Sequence, residues 1–360
     1  MLLLLFGLGA SLPMPSSADA RKDFDKAIWG PIRLPPGQAQ CGGPDRCSAF
    51  SYYKELGVDV FQFQIEWNEV APLRPADPRN PADPAYRWSS DFDLAVSEAA
   101  LHGIELAVMI KGSPPWANGG HPANSAPYPQ DYADFAVAAA RRFPSIDMWM
   151  VWGEPTRAFN FNPQGREGAR RYARILDAAY GALKSVETDN LVIGGMTLSG
   201  GATVPPTWIK HMRLQGKRRP RMDWYGHNPF QMREPRLSAD PVKARGGLKR
   251  GLNDIDTLWK ELNQAYEGTR GARAPRKLWL SEFTVQSDAP SWAFPFYVSR
   301  AEQARRLTRS FALARALPYV QGMGWFALTD YPSGENTPTW GLMTYPGERK
   351  PAYQAYRALP

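Results

Sequence analysis

The segment "VDVFQFQIEW", Val58–Trp67, is a short apolar run of strand character, and "DFDLAVSEAALHG", Asp91–Gly103, follows it with a helical pattern. The same succession recurs along the chain. "AIWGPI" from Ala27 leads to "AFSYYKELG", "IELAVMIKGSPPW" from Ile104 to "QDYADFAVAAARRF", and "IDMWMVWGEP" from Ile146 to a longer helical stretch. In that stretch Tyr172, Ile175, Leu176, Ala179 and Leu183 recur at three- and four-residue steps, the signature of one buried helix face. "LVIGGMTLSGG" from Leu191, "MDWYGHNPF" from Met222, "KLWLSEFTV" from Lys277 and "VQGMGWFALTD" from Val320 begin the remaining units, each again followed by a helical pattern. The helix after "KLWLSEFTV" is expected to bury Ala304, Leu307, Phe311 and Ala314. Apolar strands that are each followed by a helix require a parallel sheet covered by helices. Eight such units fit a closed (β/α)8 TIM barrel, an α/β fold, better than an open sheet.

The chain has 360 residues, 43% hydrophobic and 22% charged, a composition that supports a packed core. No Ser/Gly linker or charge block divides it after residue 21, so residues 21–360 read as a single catalytic-size domain. Residues 1–20, "MLLLLFGLGASLPMPSSADA", have an apolar run too short for a bilayer and end in an A-x-A pattern. They read as a signal peptide, and no span is expected in the mature chain, which would be extracellular or periplasmic. Cys41 and Cys47 in "QCGGPDRCSAF" either form a disulfide loop in an oxidising compartment or remain two thiols. No second cysteine pair or H-E-x-x-H accompanies them, so no metal and no other cofactor is expected. The net charge of +8 is dispersed apart from "GKRRPR", Gly216–Arg221, and no nucleic-acid module goes with it, so no nucleic-acid partner is expected.

In a (β/α)8 barrel the chemistry gathers at the C-terminal ends of the strands. The fourth apolar run ends in Trp152-Gly153-Glu154-Pro155 and the seventh in Trp279-Leu280-Ser281-Glu282-Phe283. A carboxylate behind such a run is either desolvated at a cost or lines a cleft. Two at matching strand ends form the pair that glycoside hydrolysis uses, one group protonating the leaving oxygen and the other attacking the anomeric carbon or activating water.

"VWGEPT" resembles the W-N-E-P acid/base motif, and "WLSEF" the nucleophile strand, of clan A retaining glycoside hydrolases. Family 39 and family 5 are the nearest in pattern, bacterial exopolysaccharide hydrolases among them. The resemblance runs through almost all the chain after residue 20. It implies that Glu154 is the general acid/base, that Glu282 is the nucleophile, and that Trp325 on strand eight floors the subsite of the attacked sugar. It further implies that His227 on strand six contacts substrate or nucleophile, although a lone histidine is also a common core residue. Two positions depart from the pattern: Gly153 stands where those families carry Asn, and Gln62 or Gln64 where strand two often carries Arg.

Trp67, Trp116, Trp152, Trp325 and Trp340 fall at or just beyond expected strand ends. There an indole either stacks on a sugar ring or packs in the core. The resulting expectation is a secreted retaining glycosidase acting on a polysaccharide or oligosaccharide, with its oligomeric state open. The alternative, motivated by Gly153, is a carbohydrate-binding pseudoenzyme on the same barrel.

Overall fold

The computed structural model describes residues 24–34, 47–235, 247–270, 272–332 and 334–360. Eight parallel strands close into one barrel in sequence order: β1 (Asp25–Trp29), β2 (Val60–Glu66), β3 (Glu105–Lys111), β4 (Met148–Val151), β5 (Leu191–Leu198), β6 (Trp224–Asn228), β7 (Lys277–Phe283) and β8 (Val320–Phe326). Closure is direct, because β1 pairs with β2 on one side and with β8 on the other. The helices are α1 (Phe50–Glu55), α2 (Trp67–Val70), α3 (Ser90–His102), α4 (Pro115–Asn118), α5 (Pro129–Arg142), α6 (Gly165–Val186), α7 (Pro205–His211), α8 (Ile255–Tyr266), α9 (Arg300–Arg315) and α10 (Pro351–Arg357). The fold is therefore the (β/α)8 barrel that the strand–helix rhythm implies.

Strand alternation sorts the side chains into two cores. Ala27, Trp29, Val60, Ala107, Met109, Met148, Met150, Ile193, Trp224 and Trp279 fill the barrel interior. Their neighbours one residue away, such as Ile28, Phe61, Val108, Trp149, Val192, Tyr225 and Leu280, face the helical layer. Two glycines of β8 make room inside. A Cβ on Gly322 would meet the Trp279 ring at 2.5 Å, and one on Gly324 would collide with Gln62.

The helices dock as their periodicity requires. On α6 the expected stripe of Tyr172, Ile175, Leu176, Ala179 and Leu183 is buried. On α9 Leu307, Phe311 and Ala314 are buried, with Ala304 partly so. The chain enters α3 through Ser89, whose side chain accepts from the Asp91 amide, and leaves it through Gly103 at φ 66°, a left-handed turn that a residue with a Cβ adopts only with strain.

Cys47 is disulfide-bonded. Cys41, its expected partner, and the signal peptide expected at residues 1–20 lie outside the described residues. No helix among the described residues is long and apolar enough to cross a membrane.

Candidate active site

Both glutamates are aimed into the barrel mouth by local irregularities rather than by regular strand. At the end of β4 the backbone turns through two left-handed residues, Trp152 at φ 64° and Glu154 at φ 42°. A non-glycine residue held there costs on the order of 1–3 kcal/mol, and such strain concentrates at functional sites. On β7 the register with β8 shifts between Leu280 and Phe283, a bulge spanning Ser281 and Glu282. The residue just before Glu282 is clamped from inside the barrel. Trp29 Nε1 donates to the Ser281 carbonyl at 3.0 Å and Gln62 Nε2 donates to it at 2.9 Å, while the Ser281 hydroxyl donates to Gln62 Oε1 at 3.0 Å. Trp279 Nε1 donates to that same oxygen at 2.9 Å. Gln62 thus anchors strand seven from beneath the glutamate.

Asn228, the last residue of β6, joins the two carboxylate positions. Its Nδ2 donates to Glu154 Oε1 at 3.1 Å, and its Oδ1 accepts from the Glu282 amide at 3.1 Å. Glu154 is buried and takes two further donors from the turn that follows it, Arg157 Nη1 at 2.9 Å and Asn160 Nδ2 at 3.2 Å, both on Oε2. These contacts are local in origin. The Arg157 amide donates to the Glu154 carbonyl at 3.0 Å, and that turn folds the Arg157 and Asn160 side chains back onto the carboxyl.

Glu282 has a different environment. Desolvation, reinforced by the Glu154 charge, pushes its carboxyl up to about 8; Lys111, Arg157 and Asn228 only partly oppose this. Lys111, at the end of β3, pairs with Glu66 at the end of β2 at 3.2 Å, and Gln64 Nε2 donates to Glu66 at 3.0 Å, completing a polar mouth. At neutral pH Glu282 therefore keeps its proton, beside a Glu154 carboxyl that accepts from three donors.

Gly153 has a tertiary explanation. A Cβ there would stand 2.5 Å from Met109 Sδ and 3.6 Å from Lys111 Cδ. Met109 occupies the space that an asparagine side chain would need. The amide nearest both glutamates is supplied by Asn228 instead.

The other expected site residues are placed elsewhere. His227 alternates with Asn228 and faces the helical layer, fully buried. Its Nε2 bonds the Arg250 carbonyl at 2.9 Å, so that nitrogen carries the proton. Nδ1 then accepts from Thr197 Oγ1 at 2.8 Å, and Thr197 also meets Tyr225 Oη at 3.0 Å. Burial depresses the imidazole to about 4, against partial support from these bonds. This is a satisfied core histidine, not the mouth residue expected from the sequence; the residue of β6 that reaches the two glutamates is Asn228.

Trp325 is also fully buried. It packs on Phe283 at 6.2 Å and donates through Nε1 to the Trp340 carbonyl at 3.2 Å. Trp325 therefore belongs to the outer core rather than the mouth, and the half-buried residue over the interior core at the end of β8 is Phe326, one position later. Trp67 opens α2 and is buried against Phe135 at 5.3 Å and Trp116 at 5.4 Å. Trp152 is turned into the outer core by its left-handed backbone and donates to the Asn160 carbonyl at 2.9 Å. Trp116 is partly buried, tied to the Ala71 carbonyl at 2.8 Å, with the Arg74 guanidinium 5.1 Å from its ring centre. Short helices directly after β2 and β3 draw Trp67 and Trp116 inward. Among these tryptophans, only Trp116 keeps part of its surface in water.

Asn228, Arg157, Asn160, Lys111 and Phe326 were not singled out from the sequence. Strand parity carried a signal for two of them, since Trp224 and Gly226 precede Asn228 on the inward side and Gly322 and Gly324 precede Phe326. Arg157 and Asn160 depend on a loop turn that periodicity does not register.

No protein-family model matches the chain, and no curated protein sequence matches it. Solved structures do. A family 39 glycoside hydrolase from the gut symbiont Bacteroides cellulosilyticus superposes with TM-score 0.61 at 18% identity, over 92% of this chain and 62% of that one. A monomeric β-xylosidase from Caulobacter crescentus gives 0.60 at 17% identity, over 93% of this chain and 67% of that one. A β-glucosidase from Exiguobacterium marinum gives 0.58 at 13% identity, over 94% of this chain and 97% of that one. The chain thus spans less than two thirds of the first of these proteins. What it shares with them is the fold, a (β/α)8 barrel.

Proposed function

We propose that the protein is a retaining glycoside hydrolase acting on a polysaccharide or oligosaccharide. The observation that carries this reading is the pairing of Glu154 and Glu282 at the ends of β4 and β7, electrostatically coupled and bridged by Asn228. The names of the similar structures, a β-xylosidase and a β-glucosidase, support β-linked glycosides as first candidates.

In the proposed reaction Glu282 attacks the anomeric carbon to give a glycosyl-enzyme as the leaving oxygen takes a proton from Glu154. Water, deprotonated by Glu154, then releases the sugar. In the free protein a proton rests on Glu282, so substrate binding has to draw it off before Glu282 can attack, while Arg157 and Asn160 loosen their hold on Glu154. Phe326 floors the attacked sugar, and Gln62 and Trp29 keep β7 in position beneath it.

Export through the leader at residues 1–20 belongs to the same proposal, and the disulfide at Cys47 supports an oxidising compartment.

The test is sugar release from plant, fungal and bacterial glycans by the parent, Glu154→Gln and Glu282→Gln, with the anomer first released read by NMR. Release that vanishes in both variants, with retained configuration, is expected. An inverted product refutes the double displacement, and binding without release points to the pseudoenzyme.

A further inference from the structure

Beyond the carboxylate pair, a chain of aromatic rings runs from the barrel mouth to the surface. It starts at Phe326, which meets Trp340 at 5.2 Å. Trp340 is buried and in turn contacts Tyr331 at 5.6 Å, Phe294 at 5.8 Å and Trp292 at 6.3 Å. Trp292 and Tyr331 meet edge to face at 6.1 Å and 84°, and are 62% and 43% exposed. An edge-to-face contact covers one face of one ring only, so flat apolar surface is left in water. Trp340 keeps a buried indole N–H without a hydrogen-bond partner among the described residues.

The rim is held in place rather than loosely draped. The Trp292 amide donates to the Asn336 carbonyl at 3.0 Å and the Tyr331 amide to the Pro338 carbonyl at 3.1 Å. Gln286 Nε2 donates to the Ala289 and Phe294 carbonyls at 2.7 and 3.2 Å. Beneath, the buried Lys350 ammonium ties the loop after β7 to the loop after β8. It bonds Asp330 Oδ1 at 2.7 Å, the Thr339 carbonyl at 3.0 Å and Ser287 Oγ at 3.1 Å. The proposed chemistry uses none of these groups, yet together they fix two exposed rings in one orientation. Such preorganisation lowers the ordering cost of a ligand.

We propose that Trp292 and Tyr331 form a glycan-binding platform that continues the candidate site outward, taking sugar units one or more removed from the bond that is cut. Sugar rings suit it because their C–H faces stack on aromatic faces while their hydroxyls stay hydrated, and the exposed margin at Glu335 and Asn336 offers polar partners. Continuity with the mouth through Phe326 and Trp340 favours an extended glycan over a protein partner. The proposal rests on the glycosidase reading only for the cleavage of that glycan; binding is separate.

The test uses xylo-, cello- and manno-oligosaccharides of two to six units with the parent, Trp292→Ala, Tyr331→Ala and the double variant. Thermal melts screen the variants for folding, and Trp292→Phe and Tyr331→Phe keep a stacking face if the alanine forms fail. For the series the parent hydrolyses, the ratio of kcat/KM on the longest to that on the shortest member is expected to fall about tenfold in the double variant. The phenylalanine forms should recover most of it. If nothing is hydrolysed, calorimetric affinity for the six-unit glycans carries the test. Affinity lost in the double variant then supports the platform while the glycosidase reading fails. An unchanged ratio or affinity, or no binding to any of the three series, overturns the platform. Concentration-dependent self-association that disappears in the double variant, with no glycan effect, also overturns it and assigns the rings to a contact between two copies.

Discussion

Two groups with opposite displacements, the half-buried Glu282 and the buried His227, make the stability of this protein a diagnostic function of pH. Glu282 titrates at about 8 in the folded chain against 4.5 for a free glutamate, because burial and then the Glu154 charge disfavour its ionised form. Its folded-state pKa is raised, so the folded state binds the proton more tightly. The stabilisation is complete below 4.5 and is lost as pH rises to 8. The full displacement corresponds to on the order of 5 kcal/mol at about 1.4 kcal/mol per unit. His227 titrates at about 4 against 6.5, chiefly through desolvation. Here the unfolded chain binds the proton more tightly. Stability falls as pH drops from 6.5 to 4, by about 3 kcal/mol.

Between pH 4.5 and 6.5 the two slopes oppose each other. Urea unfolding of the parent should therefore give a free energy nearly flat over that interval, then falling by about 2 kcal/mol between 6.5 and 8 as Glu282 titrates alone. In Glu282→Gln the compensation disappears. Stability should climb by about 3 kcal/mol from pH 4 to 6.5, as His227 dictates, and then stay level to pH 8. Parallel profiles for parent and variant would refute the assignment of the site's proton to Glu282. The measurement needs no substrate, so it is independent of the proposed activity.

Other expectations concern the site directly. The kcat/KM of the parent should fall on the alkaline side with an apparent pKa near 8, where the pair loses its proton, and Arg157→Gln should move that limb upward, since Arg157 lowers the Glu282 value and donates to Glu154; a downward shift contradicts the arrangement. Asn228→Ala removes the bridge between the two glutamates, so kcat should fall by roughly 10²–10³ while the protein still folds, and a loss below threefold would show that the bridge is incidental. Gly153→Asn should cost about 1–3 kcal/mol through collision with Met109, with much of the loss recovered in Gly153→Asn/Met109→Ala; equal Tm values for parent and single variant would show the space to be free.

What sequence by itself determines here is set by periodicity. Eight apolar runs, each followed by a helical stripe such as Tyr172, Ile175, Leu176, Ala179 and Leu183, admit few arrangements other than a closed barrel. A carboxylate at the end of such a run then has the mouth as its only wet destination, which is why Glu154 and Glu282 were legible. Tertiary structure decided which neighbours share that mouth. One residue of parity separates Asn228 from His227 and Phe326 from Trp325, and a strand reverses the face of a side chain with every step. The short helix after β2 carried Trp67 into the outer core, because its indole gains more from burial against Phe135 and Tyr132 than from a solvated rim. Arg157, Asn160, Trp292 and Tyr331 sit on loops, where placement depends on turns and on pairs such as Lys350 with Asp330. Those contacts join residues distant in sequence, and no local pattern encodes them.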